Sequence, residues 1–238
     1  MRQDCSIEIR NLTKKYDINQ INYLTFFGKN NYINAISNIS ADILTGDRVG
    51  VVGLNGSGKT TLLKIISRVT YPTDGYVKIR GKVSSILEAG AGFQPDLTGL
   101  ENIFISGAVL GMNRLRINKK LSSIIEFSEL KDFINTPVKK YSSGMQIKLA
   151  FAISSYLDGD IFILDEVLAF ADDRFKKKCF QRIMSRSIKE KKTIMIVSHD
   201  IEHIATLCNK IILLKNGILK MFGDTNEILK EYKKNLDT

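Results

Sequence analysis

Two hydrophobic rhythms alternate along the chain. Short apolar runs at Ser6–Arg10, Ile39–Leu44, Arg48–Val52 and Tyr76–Arg80 predict strands. Ile161–Leu164 and Thr193–Val197 are uninterrupted, as expected of strands covered on both faces. Lys210–Leu214 and Ile218–Met221 flank Asn216-Gly217, a pair suited to a type I′ hairpin turn. Helical spacing appears at Thr60–Ser67, at Met145, Leu149, Ile153 and Tyr156, and at Phe175, Cys179 and Ile183. This alternation predicts an α/β fold with a mostly parallel sheet and an antiparallel β edge. Residues 96–158 carry helical patterns and little strand signal, so a helical subdomain is expected there, inserted between 1–95 and 159–238. The segment Asn19–Asn34, rich in Asn and aromatics, reads as a loop or short insertion.

Composition bounds this picture. A chain of 238 residues and 26.8 kDa has room for one large or two modest domains. Its apolar runs are too short to cross a bilayer, and its N-terminus lacks the apolar stretch of a signal peptide. Cys5, Cys179 and Cys208 are too scattered for a metal pair, so unpaired thiols in a reducing cytoplasm are expected. The net charge of +10 asks for a partner. Nine of the 20 residues from Asp173 to Lys192 are Lys or Arg, on a helix whose other face is apolar. A solvated face, a surface near anionic lipid and a nucleic-acid patch are the competing readings. No RNA- or DNA-binding motif accompanies the charge, so nucleic acid is not the expected partner.

One segment carries specific chemistry. Gly53-Leu-Asn-Gly-Ser-Gly-Lys-Thr60 satisfies G-x-x-x-x-G-K-[ST] at every fixed position, between a predicted strand and a predicted helix. The amides around Gly53, Asn55, Gly56, Ser57 and Gly58, with Lys59, Thr60 and Thr61 at the helix start, are expected to hold phosphates. The Thr60 hydroxyl suits Mg²⁺. Asn209-Lys210 begins like a guanine-reading N-K-x-D segment, but its fourth position is Ile212, so ATP is favoured over GTP.

Three further segments fit the same chemistry. Asp165 and Glu166 end a buried strand, which suits Asp165 for Mg²⁺ and Glu166 as the base that polarises the attacking water. His199 follows the strand Thr193–Val197, where a histidine can bond a γ-phosphate; the other histidine, His203, falls in a helical pattern. Ser142, Ser143 and Gly144 open a helix after Tyr141 and form a second anion-type turn.

Phosphate loop, helical insertion, Tyr-Ser-Ser-Gly-Met, a strand ending Asp-Glu and a strand ending before His resemble, in order and spacing, the ATP-binding cassette (ABC) ATPases. The resemblance implies a P-loop NTPase (RecA-like) core and a homodimer. Each ATP is sandwiched between one chain's phosphate loop and the other's Ser142 and Gly144. It places Asp172 at the dimer interface, and Tyr16, with Tyr32 as competitor, against the adenine. The runs 165–179 and 87–103 further resemble the polysaccharide exporters of the O-antigen, capsule and teichoic acid type. In that alignment Glu88, not Gln94, occupies the metal- and water-facing position, and Gln94 is a loop residue facing the membrane subunit.

The resemblance implies a peripheral protein on the cytoplasmic face of the inner membrane. There it drives a six-helix integral-membrane permease subunit and touches the lipid-linked glycan only indirectly. The Ala91–Thr98 loop is expected to dock on that subunit. Phe26 and Phe27 are read either as buried or as approaching the membrane interface. The chain is expected to lack the C-terminal glycan-binding domain of some relatives. The rivals are an exporter of a drug, lipid or small solute, and a soluble ABC protein acting on nucleic acid.

Overall fold

The computed structural model describes residues 4–17, 32–85, 90, 92–164, 172–197 and 201–234. Its strands and helices begin with β1 (Cys5–Asp17), β2 (Tyr32–Leu44), β3 (Arg48–Val52), α1 (Lys59–Ile66), β4 (Asp74–Ile79) and β5 (Val83–Ser85). Then follow α2 (Gly99–Val109), α3 (Arg114–Ser128), α4 (Ser143–Ser155), β6 (Ile161–Leu164) and α5 (Asp173–Glu190). The chain finishes with β7 (Thr193–Val197), α6 (Ile201–Leu207), β8 (Lys210–Lys215), β9 (Ile218–Asp224) and α7 (Thr225–Lys234). These elements gather into two compact units, residues 1–81 with 193–238, and residues 82–192. Among the described residues no helix is long and apolar enough to cross a membrane.

In the first unit β3 lies between β7 and β8, parallel to both, and β9 returns antiparallel along β8. β7 is buried throughout and β3 in all but its first residue, which is why neither alternates polar with apolar. The turn from β8 to β9 is the expected hairpin. Asn216 and Gly217 have φ of 52° and 75°, the two positive values that a type I′ turn requires.

Strands β2, β1 and β4 form a second, antiparallel sheet in this unit. Its two long strands run well beyond the predicted ones, since polar residues such as Lys14, Lys15 and Asn34 still pair through their backbones. Bulges bend both strands, with Asn11 and Asn38 at φ of 47° and 51°. Ser40 Oγ and Thr13 Oγ1 accept from the displaced amides at 2.9 and 3.0 Å, so neither bulge leaves a donor unsatisfied. Ile7, Ile9, Leu12, Ile39 and Ile43 are fully buried.

The second unit is mostly helical, with β5 and β6 paired in parallel. Among the described residues its four α-helices each start at a capping side chain: Thr98, Asn113, Ser142 and Asp172. Thr98 and Glu101 form a full capping box. α4 is buried continuously from Leu149 to Ser155. On α5, Phe175, Cys179 and Ile183 face inward as their spacing predicts. The rings of Phe127, Phe151 and Phe175 meet at centroid distances of 5.8 to 6.3 Å, and each buried ring contributes about 1.5–3 kcal/mol. The three cysteines are free and buried, and burial pushes the Cys208 thiol up to about 12.

Candidate nucleotide site

The phosphate loop follows β3 directly and ends in α1. Its geometry depends on glycine at position 58, where φ is 100° and a Cβ would lie 2.6 Å from the Ala35 carbonyl oxygen. Gly58 is also the N-cap of α1, and no side chain caps that helix. The first-turn amides are therefore open to an anion, backed by the positive end of the helix dipole. Lys59 is 7% exposed and bends back over the loop, its Nζ donating to the carbonyls of Gly53 at 2.8 Å and Leu54 at 3.0 Å. A phosphate arriving at the α1 amides offers that ammonium a charged acceptor in place of two neutral ones.

The loop is anchored from behind. The Ser57 carbonyl accepts the Gly217 amide at 3.1 Å, and the Gly217 carbonyl accepts the Ser37 amide at 2.7 Å. The β8–β9 hairpin thus ties the phosphate loop to β2. Ser57 Oγ is buried without a hydrogen-bond partner. Asn55, Gly56 and Thr60 are exposed and Thr61 is half-buried, so the Thr60 hydroxyl is available to a divalent cation.

Tyr16 and Tyr32 lie at the far end of the β1–β2 ladder, 39% and 50% exposed. Tyr16 pairs with Ile33 and Asp17 with Tyr32, so the two rings project from opposite faces of the ladder. Only one of them can stack on a given base. Lys14 Nζ stands 5.1 Å from the Tyr16 ring centre. Glu88, Asp165, Glu166 and His199 lie outside the described residues, as do Phe26, Phe27 and Ala91.

In the second unit the turn at Ser142–Gly144 is built differently. Ser142 caps α4, its Oγ accepting from the Met145 amide at 3.2 Å. That bond uses a lone pair and leaves the hydroxyl proton free to donate. Ser142 and Ser143 are exposed, and a Cβ on Gly144 would meet only Ser142 Oγ, at 3.9 Å. Packing does not demand glycine there, so the space beside it is open to a ligand.

Residues 36–169 match the ABC transporter family model. This chain belongs to the ABC transporter family. The cassette is 42% identical to the O-antigen export system ATP-binding protein RfbB of Myxococcus xanthus over 84% of its own length. It spans 46% of that relative, about half. It is 40% identical to the teichoic acids export ATP-binding protein TagH of Staphylococcus saprophyticus, over 98% of this chain and 89% of that one. Among solved structures, a dimeric ATP-binding cassette in a post-hydrolysis state, bound to ADP and Pi, superposes with a TM-score of 0.76. The match covers 92% of this chain and 98% of that one at 24% identity, a likeness of fold: the α/β P-loop NTPase fold.

Three residues of the cassette escape sequence reasoning. Asn102 is fully buried and staples the loop that precedes α2. Its Oδ1 accepts from the Gln94 amide at 2.7 Å, while Nδ2 donates to the carbonyls of Gln94, Leu97 and Thr98 at 2.9 to 3.0 Å. Gln94 itself is an exposed loop residue. Tyr141, at the head of the Ser142–Gly144 turn, donates its hydroxyl to the Phe133 carbonyl at 2.7 Å.

Lys148, one turn into α4 beyond Gly144, bridges Asp172 at 2.7 Å and Glu129 at 3.1 Å. Asp172 also caps α5 by accepting from the Phe175 amide at 2.8 Å. The bond from Lys148, then that amide, hold the Asp172 carboxyl below the usual aspartate range. The bond to Asp172 is likewise the largest cause that raises Lys148. A lysine four residues after the Ser-Gly turn was the only available hint of this link.

Proposed function

We propose that the cassette is the ATP-hydrolysing subunit of an exporter for a lipid-linked polysaccharide of O-antigen, capsule or teichoic acid type. The observation that carries the reading is the uncapped start of α1 with Lys59 poised over the loop carbonyls, the arrangement a triphosphate completes. The names of its relatives point to the cargo. A separate six-helix membrane subunit forms the path, and this chain sits peripherally on the cytoplasmic face of the inner membrane. The Ala91–Thr98 loop, in which Asn102 clamps Gln94, Leu97 and Thr98, and the start of the 96–158 helical subdomain are the docking surface. The glycan is touched only by the membrane subunit.

Two chains act together as a homodimer. The α1 amides take the phosphate oxygens, and Lys59 swings from the Gly53 and Leu54 carbonyls to the β/γ-phosphates. Tyr16 or Tyr32 stacks on the adenine. Thr60, Asp165 and Glu88 hold Mg²⁺, which when bound neutralises charge building on the phosphates. Glu166 accepts the proton of the attacking water, and His199 bonds the γ-phosphate. The second chain contributes Ser142, whose free hydroxyl proton and adjacent Gly144 amide meet the γ-phosphate, with Asp172 close to the dimer contact.

Glu166→Gln keeps the shape and removes the base. It is expected to bind ATP, to accumulate an ATP-bound dimer and to hydrolyse about 10²–10⁴-fold more slowly. Hydrolysis at the parental rate would remove Glu166 from the role. For the cargo, cells lacking this chain should lose surface glycan while retaining the lipid-linked form inside. Intact surface glycan with failed efflux of a small solute would redirect the reading.

A further inference from the structure

The second unit holds a cavity of about 350 Å³ that ATP hydrolysis does not use. It lies where the end of α4 meets α3 and α5. Arg116 and Lys120 reach it from α3, four residues apart, and Arg182, Arg186 and Lys189 from α5 at spacings of four and three. Each set therefore occupies one helical face. Asp158 and Glu190 are the carboxylates in the lining, so five cations face two acids.

Part of this arrangement is structural. Arg186 donates to the carbonyls of Ser155 at 3.1 Å and Leu157 at 2.8 Å, closing the C-terminal end of α4. Arg182 stacks over the Tyr156 ring at 3.7 Å, and Arg116 pairs with Asp158 and donates to the Tyr156 carbonyl at 3.3 Å. Helix capping explains these bonds and fixes three guanidiniums around one space.

It leaves the rest unexplained. Arg116 Nε is buried with no acceptor. Burial first, and the nearby Arg186 charge second, push the Arg116 guanidinium below its ordinary value. Among the described residues Lys120 and Lys189, at the same cavity, have no carboxylate partner. The cations converge on a pocket rather than running in a stripe, which suits a compact anion better than a nucleic-acid backbone. Fork-shaped guanidiniums favour the tetrahedral oxyanions of phosphate.

We propose that this cavity binds a phosphate-bearing group with at least two negative charges, supplied by a free diphosphate or by the headgroup of an anionic lipid. The site goes beyond the ATPase reading and stands whether or not that reading holds, since all its residues lie within 82–192.

The test compares Lys59→Ala protein, in which the phosphate loop is weakened, with the same protein carrying Lys120→Glu and Lys189→Glu. Inorganic pyrophosphate is titrated into each by calorimetry. Both are also sedimented with phosphatidylglycerol vesicles and with phosphatidylcholine vesicles. Among the described residues neither lysine side chain makes a hydrogen bond or ion pair, so unchanged thermal unfolding is expected of the reversed protein. Saturable pyrophosphate binding that weakens about tenfold or more on charge reversal supports a free diphosphate ligand. Loss confined to the phosphatidylglycerol vesicles supports a lipid headgroup. Equal binding by both proteins in both assays overturns the proposal. If charge reversal alters unfolding, Arg116→Gln is measured in the same way, and an unchanged titration with that variant overturns it too.

Discussion

α1 and α4 both begin at a turn of serine and glycine, and they begin in opposite ways. α1 starts at Gly58 with no capping side chain, and the lysine beside it is folded onto neutral carbonyls. α4 starts at Ser142, whose own oxygen satisfies the Met145 amide, with open space at Gly144. An uncapped start leaves its first-turn amides open, so it can receive an anion. A capped start closes one amide by itself and offers a hydroxyl proton, the neighbouring Gly144 amide and room, so under the proposed function it touches a phosphate held by the other chain without holding one itself. The same residue types thus yield two different tools, and the difference lies in whether a side chain or a ligand closes the first turn.

Lys59→Ala attacks the unfinished terminus. Removing a charge-assisted contact is expected to cost about 1.5–3 kcal/mol of nucleotide affinity, roughly 10- to 150-fold, with the unfolding midpoint nearly unchanged. A titration with a fluorescent ATP analogue measures it. An unaltered affinity would mean that the lysine stays on the Gly53 and Leu54 carbonyls when nucleotide binds.

Asn102→Ala acts on the capped side of the comparison. It strips four bonds from a buried loop and is expected to lower stability by about 1–3 kcal/mol while ATP affinity holds. Urea unfolding alongside the same titration separates the two. Equal losses in both would mean that the loop before α2 supports the phosphate loop as well.

The smallest effect is on pH. Because its folded carboxyl is held low, Asp172 stabilises the start of α5 above the ordinary aspartate pKa, and that support is lost as pH falls through the lower folded value. The first turn of α1 contains no acid and has no such dependence. Hydrogen exchange at the Phe175 amide should rise in acid before global unfolding, while the α1 amides show no matching step. Parallel behaviour at the two helix starts would remove the distinction.

What the sequence made visible follows from distance along the chain. The phosphate loop is eight contiguous positions, and Asn216-Gly217 is two, so their conformations are specified locally. The buried face of α5 shows through its spacing. Asn102 does not, because an Asn in a first helical turn looks like any exposed polar residue until the loop folds over it. The Tyr141 bond to Phe133 and the Lys148 bridge to Asp172 join residues that no period connects. β5 is only three residues long, too short to carry a pattern. The extra length of β1 and β2 is held by backbone pairing of polar residues, to which hydrophobic spacing is blind.

If one terminus binds and the other only reaches across, two disabled chains should repair each other. Lys59→Ala disables the holding site by weakening it, and Ser142→Arg blocks the reaching turn while sparing nucleotide binding by the single chain. Each variant alone is expected to lack ATP hydrolysis. Mixed in equal amounts, they form dimers in which one phosphate loop and one opposing turn are intact, restoring up to roughly a quarter of the parental rate by statistics. A mixture as inactive as its components, or a Ser142→Arg chain that cannot bind ATP, would place both turns in the same subunit's site and contradict the account.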